Sequence, residues 1–302
     1  MPSKSAPVVS DVLTRFLLQH AGVRGVRVHL HDSWGEIRQR SEYSDTTAEL
    51  LGEAVVAAAL FTGHTKIDGR LSVQLRSDGP LRSLFAECTG AGTLRGIAQV
   101  GGTGQVSRDL RRLGPGAIMA ITIENPGANG REPGRYQGIV PLEAESLMEA
   151  FEDYFRQSEQ LPTRLLLAVD GEAAAGLMLQ KLPGDQGDDD GWTRATTLFD
   201  TLSAAELLAW PADTLLLRLF HEDGVEVLGE RPLRFGCSCS RERVQDVLVS
   251  LGETEAHASV QEGRHAEIRC QFCGHSYQFT ARDIDALFTA SSAGLVVPDS
   301  LQ

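Results

Sequence analysis

Cys237-Ser238-Cys239, then thirty intervening residues, then Cys270-Gln271-Phe272-Cys273: these two stretches hold four of the five cysteines of the chain. Two such loops make either a zinc site or two ready-made disulfides, and one set of sulfurs can serve as both. A bound metal keeps thiolates deprotonated and apart, and the same sulfurs can pair when an oxidant displaces it. The stretch therefore sets apart a small C-terminal module laid out as knuckle, helix, knuckle.

Within that module Ser240 is the expected N-cap of a helix over residues 241–251, with Val244, Val247, Leu248 and Leu251 as one apolar stripe and Gly252 as its stop. A short strand through Ile268 delivers the second loop, and Tyr277 and Phe279 alternate on the strand that leaves it. The paired spacing makes Cys237, Cys239, Cys270 and Cys273 the expected ligands of one Zn²⁺ ion. Purely structural zinc is the plain alternative, since such an ion contributes on the order of ten kcal/mol and can fold so small a module. A disulfide closed within a CxC is a tight, strained ring, more reducible than most structural disulfides, which favours a sensor. His265 and His275 lie near enough to be alternative ligands, but four thiols already complete a tetrahedron. Arg234, Arg241, Arg243 and Arg269 flank the sulfurs; they either lower the thiol pKa values or form a solvated rim. Cys88 stands alone in a strand and reads as a buried core thiol.

Upstream, short β-like runs alternate with two helical patterns, which predicts an α+β domain. Residues 25–30 and 34–39 bracket a His31-Asp32-Ser33 turn as an expected hairpin. Residues 46–61 read as a buried helix and 143–158 as a second one with Leu147, Phe151, Tyr154 and Phe155 on one face. Strands are expected over residues 70–76, 81–88, 94–100, 117–124, 136–140, 165–169 and 176–182, the last two completing a sheet. After Pro183 the run Gly184-Asp185-Gln186-Gly187-Asp188-Asp189-Asp190-Gly191 can be neither strand nor stable helix and marks a boundary. Residues 192–220 are helical and unusually apolar, and so short a stretch must dock on the first domain or on another protein. The expected division is a core at 1–183, a helical, metastable linker at 184–234 and a zinc-binding, redox-switch domain at 235–302.

Composition narrows the function. A chain of 302 residues with 42% hydrophobic content carries a real core and about two domains. Its net charge of -13, with 41 acidic residues against 28 Lys and Arg, argues against a nucleic-acid partner. No stretch is expected to approach the ~20 apolar residues that span a bilayer, and residues 1–7 carry no apolar run of signal-peptide type, so the cytoplasm is the expected address. No HExxH, GxSxG or GxxxxGK(S/T) motif occurs, and four cysteine ligands leave no open metal position, so no catalytic residue is expected. Gly101-Gly102-Thr103-Gly104 and Gly114-Pro115-Gly116 read as turns. A thiol oxidoreductase would open a helix with its CxxC, whereas Gly274 and a strand follow Cys273. A zinc-ribbon interaction module remains the other alternative.

The blocks Phe235-Gly236-Cys237-Ser238-Cys239-Ser240 and Cys270-Gln271-Phe272-Cys273-Gly274-His275-Ser276-Tyr277-Gln278-Phe279 resemble the 33 kDa chaperonin family, a redox-regulated heat-shock holdase. Tyr136-Gln137-Gly138-Ile139-Val140-Pro141-Leu142, Ser158-Glu159-Gln160-Leu161-Pro162-Thr163 and Leu217-Arg218-Leu219-Phe220-His221-Glu222 match it in the same order. The resemblance implies an ATP-independent chaperone that is nearly inactive when reduced and zinc-loaded. It implies that oxidation pairs Cys237 with Cys239 and Cys270 with Cys273, expels zinc and unfolds the linker. The oxidised protein would then hold unfolding clients, usually as a homodimer. The acidic run at 185–190 and the tail after Phe288 have no counterpart in this resemblance.

Overall fold

The computed structural model describes residues 11–65, 67–102, 104–126, 133–184, 186–260 and 265–293. The start of the chain at 1–7, Thr103, Asp185 and the tail beyond Ala293 lie outside them. The fold is mixed α+β and divides into two compact units, Met1–Gly236 and Cys237–Gln302.

The first unit is organised around one helix, α2 (Asp45–His64), capped where Ser44 Oγ accepts the Thr47 N–H at 3.4 Å. Ala, Leu and Val occupy every side of it, and a helix apolar all round must be enclosed. Its length and composition also suffice to cross a membrane, which corrects the expectation that no stretch does; 89% of that apolar window is buried inside the structure, as a core helix requires.

Two antiparallel sheets enclose α2. Sheet A has the order β10 (Val225–Pro232), β1 (Val12–Leu18), β2 (Val23–Leu30), β9 (Ala174–Lys181), β8 (Thr163–Val169). Sheet B has the order β11 (Arg234–Phe235), β5 (Thr93–Val100), β4 (Leu81–Thr89), β3 (Arg70–Arg76), β6 (Ile118–Asn125), β7 (Gly134–Val140), with only the short β11 parallel to its neighbour. A second helix, α3 (Leu147–Ser158), sets Phe151 and Phe155 edge-on against Phe61 of α2 at 5.0 and 4.9 Å. The expected strands thus fall in two sheets rather than one.

The expected hairpin at residues 25–39 is corrected. Residues 34–39 continue a helix, α1 (Asp32–Arg38), because Trp34 and Ile37 bury one helical face while the Trp34 indole N–H donates to the Asp170 carbonyl at 3.1 Å. The partner of β2 is β1 instead, in register from Val12↔His29 to Leu18↔Val23.

Side chains on a sheet alternate, so sheet A has a second apolar face away from α2. Three helices cover it: α4 (Gly191–Phe199), α5 (Ala204–Ala209) and α6 (Ala212–Phe220). Phe16 stacks on Phe220 with ring centroids 6.4 Å apart, among Leu177, Leu179, Leu207, Leu215 and Leu216. Asp188 and Asp190 of the acidic run hold Arg194 at 3.0 and 2.7 Å, with the fully buried Asp223 at 2.7 Å from the same guanidinium. The α-helices of residues 184–234 end at Phe220 and a 3-10 turn follows at His221–Asp223; β10 then joins the edge of sheet A and β11 the edge of sheet B.

The second unit contains α7 (Arg241–Leu251), α8 (Glu253–Ala258), a hairpin of β12 (Ala266–Arg269) and β13 (Ser276–Phe279), and α9 (Ala281–Ala293). Among the described residues its fully buried apolar core comprises Leu248, Ala256, Ala266, Phe279 and Ile284, with residues such as Val244 and Ile268 half-buried against them. So few side chains are a thin core for an independent fold.

Candidate metal centre

The first knuckle, Cys237-Ser238-Cys239, runs directly into α7, where Ser240 Oγ accepts the Arg243 N–H at 3.3 Å and Gly252 (φ 89°) ends the helix. The second knuckle bridges β12 and β13. Cys270 N–H donates to the His275 carbonyl and Gly274 N–H to the Cys270 carbonyl, both at 2.8 Å. Closing that turn places Gly274 at φ 74°, a left-handed conformation that glycine adopts at least cost.

These two turns bring the four cysteines together. Their sulfurs all lie within 4.8 Å of one another, and among the described residues they alone form a group of three or more His, Cys, Asp or Glu side chains able to share a metal ion. Cys237 Sγ is 3.7 Å from Cys270 Sγ and Cys239 Sγ is 3.4 Å from Cys273 Sγ, so the nearest contacts cross between the knuckles. All four side chains are half-buried.

The thiols do not ionise alike. Burial pushes Cys237 above the ordinary thiol value, and the thiols of Cys239 and Cys270 add to this. Burial and all three neighbouring sulfurs push Cys273 up to about 12, against the His275 N–H. At Cys270 burial is outweighed by the Cys273 and Phe272 N–H groups and by hydrogen bonds from Cys237 and Cys273, and its pKa falls to about 7. By itself the cluster gives the Cys270 thiolate readily and resists yielding those of Cys237 and Cys273; a cation among the sulfurs removes that resistance.

The flanking arginines act as braces. Arg243 Nη1 donates to the carbonyl and hydroxyl of Ser238, each at 2.7 Å. Arg269 Nε reaches the Gly274 carbonyl at 3.2 Å, and Arg241 Nη1 the Gln278 carbonyl at 2.9 Å while its guanidinium covers the Phe279 ring. What lowers Cys270 is backbone N–H groups and thiols. Arg234 lies in the first unit, on β11.

His275 packs edge-on against Tyr277, with ring centroids 4.6 Å apart, and His265 is exposed beside β12. Neither joins the group of sulfurs. The residue that sequence reasoning missed is Tyr277, whose hydroxyl donates to Cys239 Sγ at 3.1 Å. The available signal was its strand: the period-two alternation that buries Phe279 puts Tyr277 on the same face. Cys88 is fully buried in β4 of the first unit, and burial raises its pKa to about 11.

A model of the family described as Hsp33 protein matches residues 11–280. The 33 kDa chaperonin of Ectopseudomonas mendocina (strain ymp) is 43% identical over 296 residues, spanning 94% of this chain and 97% of its own. That of Azotobacter vinelandii is 42% identical over 291 residues, spanning 94% and 96%. Among solved structures, the crystal structure of the 33 kDa chaperonin (heat shock protein 33 homolog) of Thermotoga maritima matches with a TM-score of 0.75 over 95% of this chain and 100% of that one. At 21% identity the last comparison speaks for the fold.

Proposed function

This chain belongs to the Hsp33 family, and from that premise we propose that it is a redox-regulated, ATP-independent holdase, which binds unfolding proteins after its cysteines are oxidised. The observation that carries the redox part is the group of four sulfurs on a unit with a small buried core. A tetrahedral ion with metal–sulfur bonds of about 2.3 Å sets its sulfurs roughly 3.8 Å apart, and contacts of 3.7 and 3.4 Å fit that edge. The donor set of soft thiolates selects Zn²⁺, one per chain in the reduced form, held by Cys237, Cys239, Cys270 and Cys273. Bound zinc supplies the positive charge that lets four thiolates share one small volume.

In this reading oxidation joins Cys237 to Cys239 and Cys270 to Cys273. Each pair gives two electrons to a peroxide or hypochlorite, releases any thiol protons to water and forms one S–S bond. A disulfide sulfur is a far poorer ligand than a thiolate, so the second unit loses the interaction that folds it. The chain leads from there without a break through β11 and β10 to α6. Unfolding that spreads upstream would strip α4–α6 from sheet A and free the apolar surface around Phe16, Leu177 and Leu179 for clients.

The division into a core at 1–183, a metastable linker at 184–234 and a redox-switch domain at 235–302 follows these roles. The reading includes a homodimer in the oxidised form and a cytoplasmic address, where thiols stay reduced until stress. It includes no catalytic residue and no nucleic-acid or membrane partner. The test measures bound zinc, free thiols and suppression of a client's aggregation, before and after hypochlorite or warm peroxide. Loss of zinc with two new disulfides and no gain in client holding removes the chaperone switch; retention of zinc under oxidant makes the metal purely structural.

A further inference from the structure

Sheet A outruns α2. The helix ends at His64 and Thr65, where a side chain at Gly63 would already meet Leu13 and Val26, and beyond that point the sheet face lies open. A cleft of ≈ 440 Å³ remains there, wholly within the first unit, in the size range of small-molecule sites. The register decides what faces it. Arg15 pairs with Val26 and Val26 with Met178 in one row, and Arg24 pairs with Gln180 in the next. Opposite Arg15 the β10 strand skips from Gly229 to Val227, a bulge whose extra residue, Leu228, lines the cleft and is 50% exposed.

The polar groups are built into place. Gln180 is fully buried, and its amide donates to Glu159 at 3.2 Å and to Thr163 at 3.0 Å. Its carbonyl oxygen accepts from Arg24 Nε at 3.0 Å and also from Arg24 Nη2, which lies 3.1 Å from Nε2 of His64. Neither of these hydrogen bonds is to a carboxylate, so the guanidinium is fixed without a salt bridge. Among the described residues neither Arg15 nor Arg24 lies within ion-pair distance of a carboxylate. Glu159 is engaged by Gln180 and lies 3.4 Å from His64 Nε2. The C-terminal end of α2 contributes roughly half a negative charge, which leaves two guanidinium groups against one carboxylate and a partial charge.

We infer that this cleft binds a small anion with an apolar body, an alkyl or aryl carboxylate whose carboxylate meets Arg15 and Arg24 and whose chain lies along Val26, Met178 and Leu228. A planar, permanently charged fork beside an apolar wall is the chemistry that recognises such a ligand. The site is separate from the sulfurs and requires nothing of the redox reading.

Calorimetric titration of the reduced, zinc-loaded full chain with octanoate tests it, with octanol and acetate as controls for chain and charge alone. The expected result is saturable octanoate binding that neither control reproduces. Arg15→Gln, at an exposed strand position, should weaken it about tenfold. Glu159→Gln, which removes the carboxylate of the cleft, should tighten it about threefold. Because the two variants move in opposite directions, a general loss of folding cannot mimic the result; a melting curve for each verifies the fold. Equal binding of octanol and octanoate, or affinities unchanged in both variants, overturns the assignment.

Discussion

The hydroxyl of Tyr277 donates a hydrogen bond to Sγ of Cys239 at 3.1 Å, and that bond raises the phenol's own pKa to about 12. The phenol therefore stays a donor through the physiological range. A donor on a sulfur stabilises the thiolate and lowers its nucleophilicity. Tyr277→Phe should speed both zinc transfer to a competing chelator and peroxide consumption of thiols, on the order of fivefold. Rates equal to those of the parent chain would show that the bond has no part in setting the site.

Removal of the metal should unfold the second unit and leave the α2 core of the first in place. Its core rests on Leu248, Ala256, Ala266, Phe279 and Ile284, whereas the first unit encloses α2 between two sheets. A structural zinc ion is worth on the order of ten kcal/mol, more than so small a core supplies. Chelation under reducing conditions should abolish the dispersed amide signals of α7, β12 and β13 and leave those of α2 and β3 in place. Persistence of the α7 signals after complete chelation contradicts the assignment.

The distance over which a feature acts decides how much of it was legible in the sequence. Ser240, the apolar stripe of α7 and Gly252 are local, and the helix appears between those residues. The cysteine cluster was readable because its two spacings are local even though their meeting is not. β1 and β10 were not read as strands, since their pairing joins Val12 to Pro232 across nearly the whole chain. The half-exposed Val227 and Leu228 also give β10 no buried alternation to recognise. Trp34 and Ile37 fit a strand locally, and only their burial together on one helical face excludes it. Tyr277 was visible as a strand residue, while its role depended on the hairpin that aims it at Cys239.

Thiol chemistry should separate Cys88 from the other four. It is fully buried, and burial raises its pKa to about 11, so it carries very little thiolate at neutral pH. In the chelated, reduced protein the unfolded second unit no longer holds its sulfurs against one another, so its four thiols should react rapidly with a disulfide reagent, and Cys88 only after denaturant is added. Five rapid equivalents while the first unit stays native would place Cys88 in the redox system.

Glu159 gives a signed pH dependence. The hydrogen bond to His64 comes first among the groups that lower its pKa; burial opposes it, and Gln180 and Arg24 assist. A carboxylate with a depressed folded pKa contributes stability that is present above its unfolded value of about 4.3 and is lost as pH falls through the folded one. Glu159→Gln should therefore melt below the parent at pH 7, with the gap closing as the pH drops below about 4. A gap that is constant or widens toward acid contradicts the assigned direction.

The stacked pair Phe16 and Phe220 offers a way to release sheet A without touching a cysteine. Both rings are fully buried between the sheet and α6. Phe220→Ala removes a core aromatic at a cost of about 3–5 kcal/mol. The loss falls on the contact between α6 and the sheet, while the α2 side of the sheet keeps its packing. If the apolar face under α4–α6 is what grips clients, the variant should suppress aggregation of a denaturing client under reducing conditions with zinc still bound. Hydrogen exchange should show α6 opened and α2 still protected. An opened α6 with no client holding until oxidant is added would move the client surface elsewhere and leave the sulfur switch standing.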